Sequence, residues 1–438
     1  MIERIAWILL LNILFFAKTL TYKYCSDDLP SSRLPHSKPK WKHWLHVIEG
    51  YEKTWMQLDH ALTMLFHALT CVFIYTGFGA NDISFLAAML FAFNPANNQG
   101  SVWISGRSYV LPALGMTMAM TFPYLALFPL LGATYFNAGF ATPVILLFSS
   151  MPKAIVAFCL AFCWVFHWKR FKLNVGRKIK KEAFTADRKI HWRKLVLFTK
   201  TFGFYTSHAL LPIKTAFYHS FLQSAAGCMN KRAMTMKDRF FWLGVGFALL
   251  FGWLIYDNMG TLLSFGLLWW MVCLFPFLNL FRIHQEIGER YMYLPNVGLM
   301  VALASLINGH PAITAMFITA YATKLWFYMD AYTDDYYLVE YARLHSPDAW
   351  FPWHVAGMKR WDTQSYKEAV ILWTMARMIS PREYKVNFNL ATALKMSNHP
   401  EEADRFMAIA EANIPGGQEV EAGKLIAEWR GGKFAILL

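Results

Sequence analysis

From the first residues to Met329 the sequence is a succession of apolar runs, each close to the roughly 20 residues that carry a helix across a bilayer. Inside hydrocarbon each backbone N–H and C=O must be satisfied within the segment, so runs of this kind read as spanning helices. They are expected near 1–20, 59–79, 81–94, 109–129, 131–149, 152–167, 195–213, 238–256, 259–281, 293–308 and 311–329, about eleven crossings. The first run opens on a charged residue as a secretory signal would. No small-x-small cleavage site follows at Thr21 to Ser26, so it is read as the first crossing. With 56% hydrophobic and only 16% charged residues, the chain is too apolar for a soluble globule. The expected fold is all-α: a polytopic membrane helix bundle over 1–330, followed by a soluble helical domain over 346–438.

The formal net charge of +14 could suggest nucleic acid, but the surplus sits beside the apolar runs, where membrane orientation accounts for it. Residues 169–200 hold twelve Lys/Arg against Glu182 and Asp187, so this stretch is expected on the cytoplasmic side. Six crossings from a cytoplasmic N-terminus arrive there, and the count places residues 22–58, 94–111 and the C-terminal part on the outer face. Cys71, Cys159, Cys163 and Cys273 lie in apolar runs, where thiols behave as small hydrophobes. Cys25 and Cys228 fall in polar loops and could form one disulfide. No metal ligands are assigned; a divalent metal is possible but not indicated by the residues.

One polar interruption stands out. Asn94 to Leu111, NPANNQGSVWISGRSYVL, separates two apolar runs, and irregular backbone at membrane depth needs protein or a water-filled cavity around it. The expectation is the wall of a wet cavity at the outer face. Arg107 in this stretch and Arg290 in Glu289-Arg-Tyr-Met-Tyr-Leu-Pro295 are outer-face guanidinium groups, suited to bidentate recognition of a phosphate or diphosphate. Glu289 and Arg290 could equally clamp one another. Asp27 and Asp28, in the first outer loop, are adjacent carboxylates able to take a proton from a hydroxyl or to hold a cation. There is no GxxxxGK[ST], HExxH or GxSxG pattern, which leaves nucleotide hydrolysis, zinc proteolysis and serine hydrolase chemistry without support.

After about Ser346 a repeat is legible. Glu368-Ala369 recurs as Glu402-Ala403, Ala376 as Ala410 and Pro381 as Pro415, all at a period of 34 residues. That period, with small residues where helices cross, is the signature of tetratricopeptide helix pairs. Two repeats and a capping helix at about 418–430 are expected. So short a stack needs the membrane domain or a partner to cover its apolar end.

These motifs carry a resemblance. Phe93 to Arg107 is similar to the pattern HPxHxExVxWISGRxDxL, and Glu289 to Pro295 to ERYLYLP, both of the transmembrane tetratricopeptide O-mannosyltransferase-like family in the GT-C glycosyltransferase superfamily. Leu58 to His67 resembles the helix with a spaced His in that family, and Ser150-Met-Pro-Lys-Ala154 resembles its SKPxA. The resemblance covers most of residues 20–310. It implies transfer of a sugar from a polyprenyl- or dolichyl-phosphate donor to an acceptor hydroxyl on a protein or glycan, on the outer face. It also implies that Asp27 or Asp28 is the general base, and that Arg107, Arg290, Glu289, Tyr293, Asn97, Gln99 and Lys153 line the lipid-phosphate donor site.

The sequence departs from that pattern at several positions. Asn94, Asn97 and Gln99 stand where the family has His, His and Glu; amides can hydrogen-bond a sugar or phosphate but cannot exchange protons near neutral pH. Met151 replaces the Lys of SKP, with Lys153 two positions on. A second reading is therefore a catalytically silent GT-C-fold scaffold that presents its repeats to a partner protein. A transporter is a third, but no inverted repeat or charged mid-helix row supports it. The absence of any Asn-x-Ser/Thr sequon favours a bacterial inner membrane with periplasmic repeats over the endoplasmic reticulum.

Overall fold

The computed structural model describes residues 1–25, 53–122, 192–219, 236–279, 287–347, 349–414 and 419–437. Asp27, Asp28, Lys153, Cys228 and the two spans expected at 131–149 and 152–167 lie outside the described residues. Everything regular within them is helical, with no strand among the described residues.

Within the described residues the apolar runs form helices close to their expected places. These are α1 (Ile2–Phe16, continued by a 3-10 turn Ala17–Thr21), α2 (Lys53–Gly77), α3 (Asp82–Phe93) and, after the single polar turn α4 (Asn98–Ser101), α5 (Arg107–Thr121). Then come α6 (Trp192–Leu210), α7 (Arg239–Asp257), α8 (Leu262–Leu274), α9 (Tyr293–Ile307) and α10 (Pro311–Met329). Among the described residues, four stretches are long and apolar enough to cross a membrane: Ile2–Thr21, Gln57–Gly77, Arg239–Asp257 and Glu289–Ile307. Local chemistry sets the ends. Asn81 and Ser84 form a reciprocal capping box that starts α3, and the Asp238 carboxylate accepts from Phe240 N–H to start α7.

Two of the four spans differ sharply in surroundings. Only 11% of the α7 window is buried, with Trp242, Leu249, Trp253 and Tyr256 exposed, whereas 72% of the window that ends in α9 is buried. The α7 face has the character of lipid contact, while α9 is the central post of the bundle. It packs against α8 and α3 and also touches α5. Its crossing with α8 is close because both helices carry glycine there; a Cβ on Gly298 would sit 2.5 Å from the Gly266 carbonyl oxygen. Lys200, counted in the basic stretch, is buried in α6 and pairs with Asp238 at 2.8 Å, so it is a packing ion pair rather than a solvated cytoplasmic charge.

Beyond the bundle, α11 (Asp335–His345) occupies the interval expected to separate two domains. Leu338 and Ala342 share a core with Phe16, Tyr22, Trp103, Phe217 and Tyr332, and Asp335 pairs with Lys359 at 2.6 Å. Two helix pairs follow, α12 (Trp350–Asp362) with α13 (Tyr366–Ile379) and α14 (Tyr384–Met396) with α15 (Pro400–Glu411), then α16 (Glu419–Arg430). Corresponding helices start 34 residues apart, at Trp350 and Tyr384 and at Tyr366 and Pro400. Ala369 and Ala403, Trp373 and Met407, and Ala376 and Ala410 occupy equivalent buried positions. The final residues lie back on the pairs: the Asn389 side chain exchanges two hydrogen bonds with the Leu437 backbone, at 2.7 and 2.8 Å, and His354 Nε2–H donates to the Leu437 carbonyl.

Candidate functional site: a polar hub and a buried histidine pair

The Asn94–Leu111 stretch lies where α2, α3, α5, α6, α9 and α10 meet. Its path follows from Asn94-Pro95: a residue before proline is driven to extended backbone, and Asn94 at ψ 119° ends α3 there. The Asn94 Oδ1 accepts from Ala96 N–H at 2.9 Å, closing a turn into the 3-10 segment Pro95–Asn97 and then the single turn of α4. A second 3-10 turn, Ile104–Gly106, leads into α5. Gly106 is required by proximity, since a Cβ there would overlap the Gln99 carbonyl oxygen.

Each amide of this stretch has a partner far away in sequence. Asn94 Nδ2 donates to Ala209 O (2.8 Å), Asn97 Nδ2 to Phe91 O (2.7 Å) and Asn98 Nδ2 to Tyr328 O (3.3 Å). Gln99 Nε2 reaches Ala216 O and Phe217 O (3.5 and 3.4 Å), and its Oε1 accepts from the Arg290 backbone N–H (3.2 Å). Asn296 Nδ2 donates to Asn97 Oδ1 at 2.9 Å, and Trp103 Nε1–H to the Cys25 carbonyl at 3.3 Å. All residues from Asn94 to Ile104 are buried. The expected wet wall is thus corrected: the irregular backbone is enclosed by protein, and its side chains satisfy six main-chain carbonyls on five neighbouring segments. Cys25, expected in a polar loop, is buried as well.

The two guanidinium groups have different surroundings. Arg107 is buried, with its Nη2 2.7 Å from Asp59 Oδ1, a further bond to the Asp59 carbonyl and its Nε donating to Thr63 Oγ1 at 2.8 Å. Such a pair is stable only as a unit, since either charge alone in the interior is strongly unfavourable. Arg290 is partly buried, its guanidinium 5.8, 5.9 and 5.2 Å from the ring centres of Trp103, Tyr109 and Tyr291. Tyr293 is turned inward; its OH donates to His67 Nδ1 at 2.6 Å, while His67 Nε2 lies 3.2 Å from the Ala92 carbonyl. Tyr293 also covers Gly100.

Glu289, beside Arg290, points the opposite way. The two residues do not clamp one another. Glu289 Oε1 is 2.9 Å from His208 Nε2 and 3.2 Å from His219 Nε2 and accepts from Ala216 N–H at 2.9 Å; Oε2 accepts from Tyr328 OH at 2.7 Å. The carboxylate is completely buried and both imidazoles nearly so. Burial lowers the pKa of His219, opposed by the Glu289 carboxylate that raises it.

The structure therefore brings together Asn97, Gln99, Arg290, Glu289 and Tyr293, and holds Arg107 apart in its own pair with Asp59. Reading the sequence alone misses Asp59, His208, His219 and Tyr328. An Asp inside an apolar run was the available signal for Asp59, because ionisable residues at that depth are rare and need partners. His208 and His219 lie on the two sides of a helix end with no motif spacing, so only the fold unites them. Comparison of the chain with protein-family models, curated proteins and solved structures finds no match.

Proposed function

We propose that this protein is a membrane glycosyltransferase of the GT-C kind, moving a sugar from a polyprenyl-phosphate donor to an acceptor hydroxyl at the outer face. One observation carries the reading: the two motifs that resemble that family, nearly two hundred positions apart, are in direct contact. Gln99 Oε1 meets Arg290 N–H and Asn97 meets Asn296, with Tyr293 over Gly100. In this reading Arg290 is the donor-phosphate contact, since it stands where the two motifs meet and the rings of Trp103, Tyr109 and Tyr291 hold its guanidinium in position. Asp27 or Asp28, two and three residues after the Cys25 carbonyl that Trp103 grips, takes the proton of the acceptor hydroxyl. The hydroxyl oxygen bonds to the anomeric carbon, the bond from that carbon to the phosphate oxygen breaks, and polyprenyl phosphate leaves with its charge stabilised by the guanidinium.

The same reading takes the bundle to about eleven crossings in a bacterial inner membrane, with the paired helices as tetratricopeptide repeats in the periplasm. Those repeats recruit the acceptor. A second reading, the silent scaffold, is favoured by a specific observation: Asn97 and Gln99, standing for ionisable residues in the resembled family, spend their amides on backbone carbonyls.

Mass-spectrometric glycan profiling of cells with equal levels of wild type, Asp27→Asn and Asp28→Asn separates the two. Loss of a defined hexose- or pentose-bearing species in either variant supports transfer. Profiles unchanged in both variants and in a deletion strain would establish the scaffold.

A further inference from the structure

Three side chains converge on one point from three places in the sequence. His208 comes from the last turn of α6, His219 from the segment after it, and Glu289 from the turn that opens α9. One ligand atom from each lies within 4.8 Å of the others, and all three residues are buried. We propose that His208 Nε2, His219 Nε2 and Glu289 Oε1 bind a divalent transition metal of the zinc class.

Geometry, donor chemistry and support each argue for this. A four-coordinate ion with ligand bonds of about 2.0–2.1 Å sets its ligand atoms roughly 3.4 Å apart. The carboxylate oxygen is already 2.9 and 3.2 Å from the two imidazole nitrogens, so a few tenths of an ångström of outward motion admits the ion. Two imidazoles with one carboxylate is a donor set that zinc and its neighbours favour over magnesium or calcium, which prefer oxygen cages. Three protein ligands leave the fourth position to water or a substrate oxygen, the pattern of zinc sites that react rather than merely brace.

The surroundings also resemble an outer shell. Tyr328 OH donates to Glu289 Oε2 and Ala216 N–H to Oε1, which fix the carboxylate plane. Gln99 donates to the carbonyls of Ala216 and Phe217, tying the segment that carries His219 to the hub. The inference does not depend on the transferase reading and survives its failure.

Purified full-length protein in lipid nanodiscs, stripped with chelator and titrated with Co2+ alone, provides the test. One equivalent should bind, with the visible absorption of a low-symmetry, four- or five-coordinate site. His208→Gln and Glu289→Gln should abolish stoichiometric binding, and Tyr328→Phe should weaken it about 10–100-fold as loss of an outer-shell partner does. His219→Cys provides a signal that misfolding cannot imitate: a new thiolate-to-cobalt charge-transfer band. Failure of wild type to bind, equal binding by His208→Gln, or no charge-transfer band in a monodisperse His219→Cys protein would each overturn the site in favour of a proton-sharing cluster.

Discussion

The hub at Asn94–Leu111 and the helix pairs after Ala349 each bury a core, yet by opposite means. The hub hides amides, a guanidinium and carboxylates whose partners are remote in the chain, as with Gln99 to Arg290 and Arg107 to Asp59. The pairs hide alanines and ring faces of sequence neighbours, as with Trp373 over Gly357 and Ala403 and Ala410 in the next unit. Burial of the first kind is conditional. Each polar group costs about 1–3 kcal/mol if its partner goes, and much more for a charge. Burial of the second kind is local and nearly additive, as expected when each helix pair touches only its neighbours. The hub should thus fail as a whole, and the pairs one at a time.

That contrast can be broken or sharpened by substitution. The largest effect is expected for Arg107→Met, which strands the buried Asp59 carboxylate at a cost of about 3–5 kcal/mol and should remove the monodisperse peak after detergent extraction. Asp59→Leu added to it should restore most of the folded protein, because two apolar groups replace the ion pair. If the double variant were as defective as the single, the pair would not be the reason. Trp373→Ala should cost a similar 3–5 kcal/mol but locally: hydrogen exchange should accelerate over residues 350–411 and remain unchanged over α9. Spread of that acceleration into α9 would abolish the distinction.

Gln99→Leu comes next. It leaves the Arg290 N–H and two carbonyls without their partner, at about 1–3 kcal/mol, and should lower the melting temperature of the bundle without altering exchange in the helix pairs. The smallest effect is the pH response of the pairs. Burial, with the Lys385 ammonium adding to it, pushes the His354 imidazole down to about 3. The unfolded chain binds this proton first, so the contribution is complete above the unfolded value near 6.5 and is lost as pH falls from there toward 3, by up to about 1.4 kcal/mol per pH unit. Melting of the helix pairs followed from pH 7 to 5 should show this slope in wild type and a flatter one in His354→Gln.

The same contrast explains what could be read in advance. The helix pairs were legible because their signal is local: a period of 34 with Ala369, Ala376, Ala403 and Ala410 at the crossings appears in the sequence and again in the helix starts. The apolar runs were legible for the same reason, and α2, α6, α7, α9 and α10 lie close to where hydropathy puts them. The hub was legible only as an anomaly. A polar stretch between spans announces that something must enclose it, but whether that is water or carbonyl groups is decided by contacts across one or two hundred residues. His208 and His219 show the limit most plainly. Neither stands in a recognisable spacing, and the turn carrying Glu289 joins them only after α6 and α9 have packed.

The most direct measurement is photolabelling of the membrane-embedded protein with a diazirine-bearing polyprenyl phosphate, followed by peptide mapping. Labels should fall on peptides covering 94–111 and 289–296, be competed by unlabelled polyprenyl phosphate but not by phosphatidylcholine, and drop at least about tenfold with Arg290→Ala, as for loss of a charge-assisted contact. Labels spread over the exposed face of α7, indifferent to competitor and to Arg290, would contradict a donor site where the two motifs meet.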